Sequence, residues 1–408
     1  MTSIKIKHFG PIVEGYTEND GFINIDKVMI FIGGQGSGKS TVVKLISTLS
    51  WLEKALFKEA ISIKDVIENG AFKDVWCEYQ SIQNYFKKDS FIEYKGLFLY
   101  FRYDSGKITL KLDENASYSL PKITYIPAER NFLSVLEDLE NVKGLPKSLQ
   151  WTLDEYIRAC RSQKSPIPIG INEILFEYDR DKKETFIKGK NFDALRLSEA
   201  SSGIQSVVPM INVMYYLEFF INNKKINSIE NLSFSERERY EKLEELLLIK
   251  DKKNKNSKEG LFEILKGKVL PQHLFTIVEE IEQNLFPESQ REILINALNR
   301  VNNKLENHLI LTTHSPYIIA YTTLAMKAYN VKKLTDNESI LKKIDNVIPL
   351  TSTIDSSQTG VYQINDEGQI ISLISKSGLI LDNNYLNNSL EDTNELFNEL
   401  LDLEDLCK

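Results

Sequence analysis

The sequence predicts an α/β fold with a mixed β-sheet core, and three segments support that prediction. Residues 28–32 form a continuous apolar run, which is typical of a strand buried on both faces. A glycine-rich turn follows this run, and residues 41–56 then have the apolar spacing of a helix. Two later apolar runs, 273–278 and 308–312, end in polar residues. Because ligands gather where parallel strands end, these termini are the expected site of function.

Length and composition indicate the class of protein. The chain has 408 residues, of which 42% are hydrophobic and 26% charged, a globular composition that excludes wholesale disorder. At about 150 residues per domain, the length predicts two or three lobes. No apolar run of about 18 residues is present, so no membrane span is expected. The first ten residues lack the apolar stretch of a signal peptide.

Charge and cysteine usage narrow the expected partners and compartment. The net charge of −8 argues against a globally basic protein that coats DNA. It is compatible with a basic patch on one part of the surface. Cys77, Cys160 and Cys407 are scattered and odd in number. They indicate a reducing, cytoplasmic setting and do not favour a zinc site.

The glycine-rich turn satisfies G-x-x-x-x-G-K-[ST], the phosphate-binding P-loop. Its glycines let the backbone wrap around a phosphate chain, and the following helix adds its positive N-terminal end. Lys39 is expected to reach the β- and γ-phosphates of ATP, and the Ser40 hydroxyl is expected to bind Mg²⁺. The candidate nucleotide-binding residues of this glycine loop are Gly33, Gly34, Gln35, Gly36, Ser37, Gly38, Lys39, Ser40 and Thr41.

Acidic and histidine residues follow the two later apolar runs. Glu279 and Glu280 end the first run; we expect Glu279 on the metal side and Glu280 as the general base that activates water. A solvated strand end is the alternative. His314 follows the second run and is a candidate sensor of the γ-phosphate. His273 and His308 lie at strand starts and are expected to be structural.

A second anion-binding pattern lies in the middle of the chain. Residues 201–205 read Ser-Ser-Gly-Ile-Gln, and an apolar stretch with helical spacing follows from 207 to 220. A serine-glycine turn at a helix start binds anions, but such a turn also caps ordinary helices. The candidate residues of this signature segment are Ser201, Ser202, Gly203 and Gln205.

Taken in chain order, these motifs resemble those of the ABC-type ATPases, and specifically the SMC, RecF and OLD-like branch. The glycine loop matches Walker A, the signature segment resembles Leu-Ser-Gly-Gly-Gln, residues 277–280 resemble Walker B, and His314 matches the switch histidine of Thr-His-Ser-Pro. Ile281 and Phe286 depart from the proline and histidine usual in OLD-like ATPases. No Q-loop glutamine is clear; Gln80 and Gln83 are candidates.

The resemblance implies a mechanism and a partner. Two heads would sandwich two ATP molecules, so that Ser202 and Gly203 of one chain contact the γ-phosphate held by Lys39 of the other. A homodimer is therefore implied, at least transiently, with scope for a larger assembly. ATP with Mg²⁺ would favour closure and hydrolysis would release it.

Four parts are expected along the chain. Residues 1–126 form the N-terminal part of the ATPase head with an antiparallel β subdomain, and residues 127–194 a helical lateral lobe. Residues 195–330 form the C-terminal part of the head, with an insertion at about 221–260, and residues 331–408 a hairpin and an acidic helical tail. The tail either packs on the body or docks a partner protein.

Two basic features have open alternatives. Residues 122–130 end in Pro-Ala-Glu-Arg, which is similar to stretches in OLD-like ATPases, and Arg130 is expected to face phosphate or couple subunits. A structural ion pair with an acid is an equal alternative. Residues 250–258 are rich in lysine and are either a nucleic-acid contact or a solvated loop.

The biological role follows from the resemblance alone. An acidic head without long arms or a nuclease pattern is similar to the ATPase subunits of bacterial anti-phage systems of the Septu or PARIS type. Its ATP state would regulate a separate effector protein, a nuclease or toxin. The alternatives are a RecF-like DNA-binding repair protein and a scaffold that binds nucleotide without hydrolysing it.

Overall fold

The computed structural model describes residues 1–136, 139, 141–223, 267 and 269–406. The lysine-rich stretch 250–258 and most of the expected insertion lie outside these ranges. The strands of the described residues are β1 (Ser3–Phe9), β2 (Gly15–Tyr16), β3 (Ile23–Asn24), β4 (Val28–Gly33), β5 (Phe86–Lys95), β6 (Leu99–Asp104), β7 (Lys107–Leu112), β8 (Pro121–Ile126), β9 (Ile167–Pro168), β10 (Leu175–Asp179), β11 (Glu184–Gly189), β12 (Phe192–Arg196), β13 (His273–Val278), β14 (His308–Thr312), β15 (Thr359–Ile364) and β16 (Gln369–Ser372).

The helices of the described residues lie between groups of these strands and after the last of them. They are α1 (Lys39–Phe57), α2 (Lys64–Ile67), α3 (Phe132–Val135), α4 (Lys147–Ser162), α5 (Ser202–Asn222), α6 (Pro287–Asn302), α7 (Pro316–Lys332), α8 (Glu338–Val347) and α9 (Tyr385–Leu406). The predicted helix after the glycine loop and the predicted strand 28–32 are therefore confirmed, with ends that differ by one or two residues, and the apolar runs 273–278 and 308–312 form β13 and β14.

A mixed central sheet positions the candidate site. Its strand order is β2-β16-β15-β4-β14-β13-β8, and the five strands from β15 to β8 run parallel. Their ends are level, because Thr312 pairs with Phe31 and Val278 pairs with both Leu311 and Ile126. The segments that leave β4, β8, β13 and β14 therefore emerge at one edge, as expected for a ligand site in a parallel sheet.

Alternate residues of the central strands pack into two cores. From β4, Ile30 and Ile32 join the core that contains α5, α6 and α7, whereas Met29 and Phe31 join the core that contains α1. This is the three-layer arrangement of an α/β fold, and it explains the unbroken apolar runs of β4, β13 and β14.

An antiparallel sheet of order β3-β1-β5-β6-β7 covers the outer side of α1, as predicted for the N-terminal part. Glu53 of α1 fastens this sheet from within: it is 3% exposed, and its carboxylate accepts from the Tyr94 hydroxyl at 2.7 Å and from the Phe98 and Leu99 N–H groups at 2.7 and 3.0 Å. Burial raises the pKa of Glu53 above its usual value. The hydrogen bonds lower this pKa, but by less than burial raises it.

The segment expected as a helical lateral lobe also contains strands. α4 packs on α5, and β9 to β12 form a four-stranded antiparallel sheet of order β12-β11-β10-β9. α5 has a mean hydropathy of 1.3, enough to cross a membrane by composition, but 67% of its most apolar stretch is buried inside the protein. It is a core helix, in keeping with its place between α4 and β13.

The acidic tail is expected either to pack on the body or to dock a partner protein, and its two ends differ in burial. In α9, Leu386 is buried, but a stripe nearer the C-terminus is open to solvent. The exposed apolar side chains of this stripe are Leu396, Phe397, Leu400, Leu401 and Leu403, at 45–64% exposure. At the start of α9, the Tyr385 backbone N–H donates to Gln363 of β15 at 2.6 Å. Of the two alternatives for the tail, packing on the body therefore describes the start of α9, whereas the exposed stripe leaves the docking of a partner open.

Candidate functional site

The glycine loop follows β4 and needs its glycines for two separate reasons. Gly33, Gly36 and Gly38 have φ values of 144°, 75° and 112°, which favour glycine. A Cβ on Gly33 would also lie 2.3 Å from the Ile364 carbonyl oxygen, and one on Gly38 would lie 2.8 Å from Ile12 Cδ1. The loop is therefore held tightly between β15 and the β1–β2 connection, with Gly38 directly before the first turn of α1.

Lys39 lies buried at the start of α1. Its ammonium donates to the carbonyl oxygens of Gly33 at 2.9 Å and Gly34 at 2.8 Å. Burial lowers the pKa of Lys39 to about 8, against the charges of Glu280, Glu282 and Glu279, which raise it. The lysine of the glycine loop and the acids that follow β13 are therefore electrostatic neighbours, as the sequence predicts.

The residues expected to hold Mg²⁺ have the ligand chemistry it requires. Glu279 is 5% exposed, and among the described residues its Oε1 is buried with no hydrogen-bond partner. Ser40 is the second residue of α1 and has an exposed side chain. A carboxylate oxygen with free acceptor capacity and a hydroxyl are hard oxygen ligands of the kind that Mg²⁺ binds. The two residues therefore fit the ion.

Glu280 and His314 face each other across the edge of the sheet. Glu280 Oε1 lies 3.9 Å from His314 Nε2, with both side chains partly exposed. The Glu280 N–H donates to Thr312 Oγ1 at 3.0 Å, which ties the end of β13 to the end of β14. Burial lowers the pKa of His314, and the positive charge of Lys39 lowers it further. A neutral histidine beside a carboxylate can accept or relay a proton.

A third acid, Glu282, belongs to this cluster and was not predicted. Its Oε1 accepts the backbone N–H of His314 at 2.6 Å, and burial raises its pKa. The signal was present in the sequence as an acid two positions after Glu280. Ile281, between them, is fully buried, so the chain turns Glu282 back towards His314.

Arg130 does not face the glycine loop, contrary to the expectation for a nucleotide-binding residue. It is fully buried. Its guanidinium donates to the carbonyl oxygens of Ser206 (3.1 Å), Pro127 (3.2 Å), Glu279 (2.6 Å) and Glu280 (2.8 Å). The planar fork thus satisfies backbone acceptors from three segments at once. Arg130 therefore links the backbone of Glu279 and Glu280 to α5. The alternative expectation is an ion pair with one acid, whereas these hydrogen bonds go to backbone carbonyl oxygens.

The signature segment forms the start of α5, as its sequence indicates. Ser201 is the residue before the helix and Ser202 its first residue; both are exposed. Gly203 is buried, and a Cβ there would lie 2.6 Å from the Asn284 carbonyl oxygen. Gln205 donates to the Ser198 carbonyl oxygen at 2.9 Å. In the described part of the chain, none of these bonds reaches the glycine loop, so Ser201 and Ser202 present an open helix N-terminus.

The two candidate Q-loop glutamines lie away from the strand ends. Gln80 is buried and donates to Ser47 Oγ on the middle of α1 at 3.4 Å. Gln83 begins a short 3₁₀ helix, residues Gln83–Tyr85, before β5. At the shared edge, the residues after β8 are instead Pro127 to Arg130. Phe286, which stands where OLD-like ATPases usually have histidine, is exposed and directly precedes α6.

Comparison with known proteins finds likeness at the level of solved structures. No protein-family model matches the sequence, and no curated protein matches it. The SMC head domain from Thermotoga maritima is 11% identical, with a TM-score of 0.35, over 78% of this chain and 90% of that one. The ATP-binding cassette MJ0796, in a dimeric post-hydrolysis state bound to ADP and phosphate, is 10% identical with a TM-score of 0.32, over 92% and 100%. The protein cbiO1 from Clostridium perfringens, part of an ABC transporter complex, is 12% identical with a TM-score of 0.30, over 90% and 86%.

The class of fold rests on the chain's own topology. The glycine loop joins β4 of a mixed central sheet to α1, which is the arrangement of a P-loop NTPase fold, and an antiparallel sheet lies beside it. Its glycine loop, three acids and histidine are the polar groups that meet at the shared edge of that sheet.

Proposed function

We propose that this chain binds ATP with Mg²⁺ and hydrolyses ATP, and that two copies close head to head to do so. The observation that supports this most is the meeting of Lys39, Glu280 and His314 at the edge where β4, β13 and β14 end. Each reaches that edge from a different strand. The negative charge of Glu280 raises the pKa of Lys39 against the effect of burial, and the positive charge of Lys39 lowers the pKa of His314.

The glycine loop would bind the phosphates. The Lys39 ammonium donates to the loop's own carbonyl oxygens, which are neutral. Phosphate oxygens would replace these acceptors and supply a negative charge to pair with the buried ammonium. Ser40 and Glu279 would hold Mg²⁺, which neutralises developing charge on the phosphates. Glu280 would take a proton from the attacking water, and His314 would hold Glu280 and water in position by hydrogen bonds.

The exposed start of α5 supports the dimer. Ser201 makes no capping bond to α5, and Ser202 is exposed, so helix N–H groups and hydroxyls remain available for an anion. A second chain that closes over the glycine loop would bring this helix start to the γ-phosphate. Each composite site would then need both chains.

The first test removes the proposed general base. Glu280→Gln keeps the size of the side chain but cannot accept the proton, so phosphate release should fall at least about 100-fold. Light scattering behind size exclusion should then show a dimer that persists with ATP and Mg²⁺. Glu288→Gln, at an exposed position of α6, is the matched control and should keep wild-type turnover.

Two outcomes contradict parts of this proposal. Undiminished turnover in Glu280→Gln would remove the base assignment. A wild-type chain that dimerises with ATP and Mg²⁺ but releases no phosphate would favour the non-hydrolysing scaffold.

We also propose that the ATP state regulates a separate effector protein in anti-phage defence. The support is the resemblance to defence ATPases and the exposed apolar stripe of α9, which is edged by Glu395, Glu399 and Asp402. Such a stripe fits an apolar groove with a basic rim. Co-expression with the protein encoded by the adjacent reading frame should give a complex that Phe397→Asp disrupts. Stable separation of the two wild-type proteins would contradict this role.

A further inference from the structure

The antiparallel sheet has one face on α1 and the other in solvent. Along β1, β6, β7 and residues 91–95 of β5, side chains alternate between the core and the surface. The outward charged side chains, which we call the basic face, are Lys5, Lys7, Glu93, Lys95, Arg102, Asp104, Lys107 and Lys111. Six of these eight are basic, in a chain whose net charge is −8. The basic face is therefore positive although the whole protein is negative.

The two acids of the basic face have partners within the sheet, whereas most of its lysines form no ion pair. The Asp104 carboxylate accepts from the Arg102 guanidinium at 2.7 Å, and the Glu93 carboxylate accepts the Tyr100 hydroxyl at 3.0 Å. The lysines that form no ion pair in the described part of the chain are Lys5, Lys7, Lys95 and Lys111. Their positive charges are available to an anionic partner.

Two phenylalanine rings lie among the cations and hold them in place. The Lys95 ammonium lies 3.6 Å from the centre of the Phe22 ring, and the Arg102 guanidinium carbon lies 4.9 Å from the centre of the Phe91 ring. The Lys5 ammonium lies between the two rings, 5.5 Å from the first and 5.8 Å from the second. Cation–π attraction orders these side chains before any partner arrives, so binding costs less side-chain entropy.

Protection of a sheet edge does not explain the basic face. Lysines on an edge strand prevent pairing with another sheet, and this accounts for Lys107 and Lys111 on β7, which ends the sheet. Lys5 and Lys7 lie on β1 and Lys95 lies on β5. Both of these strands have neighbours on two sides, so their lysines have no edge to protect.

A lipid surface also fits the basic face poorly. Proteins that lie on membranes insert exposed apolar side chains among their cations. The aromatic side chains of this surface, Phe22, Phe91 and Tyr100, are only partly exposed, and cations lie over both phenylalanine rings. The face can therefore contact an anionic polymer from outside, but its aromatic rings are not free to enter a bilayer.

We propose that the basic face binds the phosphate backbone of a nucleic acid, independently of base sequence. Cations two residues apart on one strand lie about 6.8 Å apart, and the four strands span about 14 Å. A DNA duplex carries about one negative charge per 1.7 Å of its axis, so this span faces a stretch with about eight phosphates. Contacts to phosphate carry no base information. This binding needs no ATP and does not rest on the proposed ATPase activity.

Fluorescence anisotropy with a labelled DNA duplex tests the proposal on the full chain, without nucleotide and at several salt concentrations. Saturable binding is expected at about 50 mM salt. A plot of the logarithm of affinity against the logarithm of salt should have a slope of about −3.6, which is about −0.9 for each of the four lysines without an ion pair. Absence of saturable binding to duplex DNA, single-stranded DNA and duplex RNA at that salt would overturn the proposal. So would binding to vesicles of phosphatidylcholine and phosphatidylserine without binding to nucleic acid.

Paired variants then locate the binding. Lys5→Gln combined with Lys95→Gln removes two cations, so the affinity should fall about tenfold at low salt and the slope should become less steep by about 1.8. The matched control is Lys342→Gln combined with Lys343→Gln, at two exposed positions of α8. It removes the same charge elsewhere and should bind as wild type. An unchanged slope in the first variant, or an equal loss in the control, would overturn the assignment to the basic face.

Two further variants keep the test decisive. If the first pair does not fold, Lys7→Gln combined with Lys111→Gln takes its place, with the same expected change in slope. Lys39→Ala, which disables the proposed ATP site, should bind nucleic acid as wild type does. Failure of the nucleic-acid proposal and failure of the proposed ATPase activity are therefore distinguishable.

Discussion

Glu280 shows how a single residue is prepared for its proposed role. Its φ is 45°, a left-handed conformation that a non-glycine residue keeps only when its surroundings enforce it. Here Thr312 accepts its N–H and Arg130 donates to its carbonyl oxygen. The strain turns the chain sharply after β13, so that the carboxylate lies over His314 instead of continuing along the strand.

His273 provides a prediction about pH and stability. Burial lowers the pKa of His273 to about 3 from 6.5, helped by His308, Lys304 and Lys54. Between these two values the unfolded chain binds a proton that the folded chain does not, so stability falls as the pH falls. From pH 6.5 to 5, this residue should cost about 2 kcal/mol of the free energy of unfolding.

The measurement is the urea midpoint at both pH values. His273→Gln should lose about 2 kcal/mol less than wild type on acidification. Tyr317→Phe, at an exposed residue of α7, is the control and should follow wild type. An identical acid dependence in all three proteins would mean that His273 already binds a proton when folded.

At the scale of elements, Arg130 connects the end of β8 with the acids after β13 and with α5. Burial lowers the pKa of Arg130 to about 10, against the charges of Glu282, Glu280 and Glu279. The guanidinium therefore stays charged at neutral pH. It donates to four carbonyl oxygens, of which that of Glu280 also accepts the Gln283 N–H at 3.0 Å.

Arg130→Met should therefore destabilise the fold by about 3 kcal/mol or more, because four carbonyls lose the guanidinium as a donor inside the protein. Turnover should fall with it, since the Arg130 bond no longer assists the Thr312 and Gln283 bonds in holding Glu280. Arg180→Met, at an exposed residue, is the matched control and should change the urea midpoint little. A stable Arg130→Met protein that binds ATP poorly would instead restore the phosphate-facing role.

Some elements could be predicted from sequence because their patterns are local. The glycine loop, β4 and α1 could each be predicted from neighbouring residues, and so could the strand that directly precedes Glu279. The partners of Arg130 could not be predicted, because they come from segments 76 and 150 residues away. The exposure of Phe397 could not be predicted either, since an amphipathic helix has the same pattern whether its stripe packs on its own chain or lies open.

At the scale of the whole molecule, the composite site makes a prediction about mixed chains. Lys39→Ala should be inactive because it cannot hold phosphate, and Ser202→Arg should be inactive because a bulky cation blocks the start of α5. In a heterodimer of the two, one site has an intact Lys39 facing an intact Ser202. Mixing the two inactive proteins should therefore restore part of the phosphate release.

The control is each variant alone, at the total protein concentration of the mixture. No gain is expected there, since every site carries the same lesion. If the mixture of different variants is also inactive although both chains fold and associate, each site is complete within one chain.

The buried carboxylate of Glu53 has a consequence for motion. α1 is fixed to the glycine loop at its first residue, Lys39, and to the antiparallel sheet fourteen residues later by three hydrogen bonds. A pivot of α1 against this sheet would break all three bonds and leave the Glu53 carboxylate buried without them. We therefore expect the loop, α1 and the outer sheet to move together in any rearrangement of the chain.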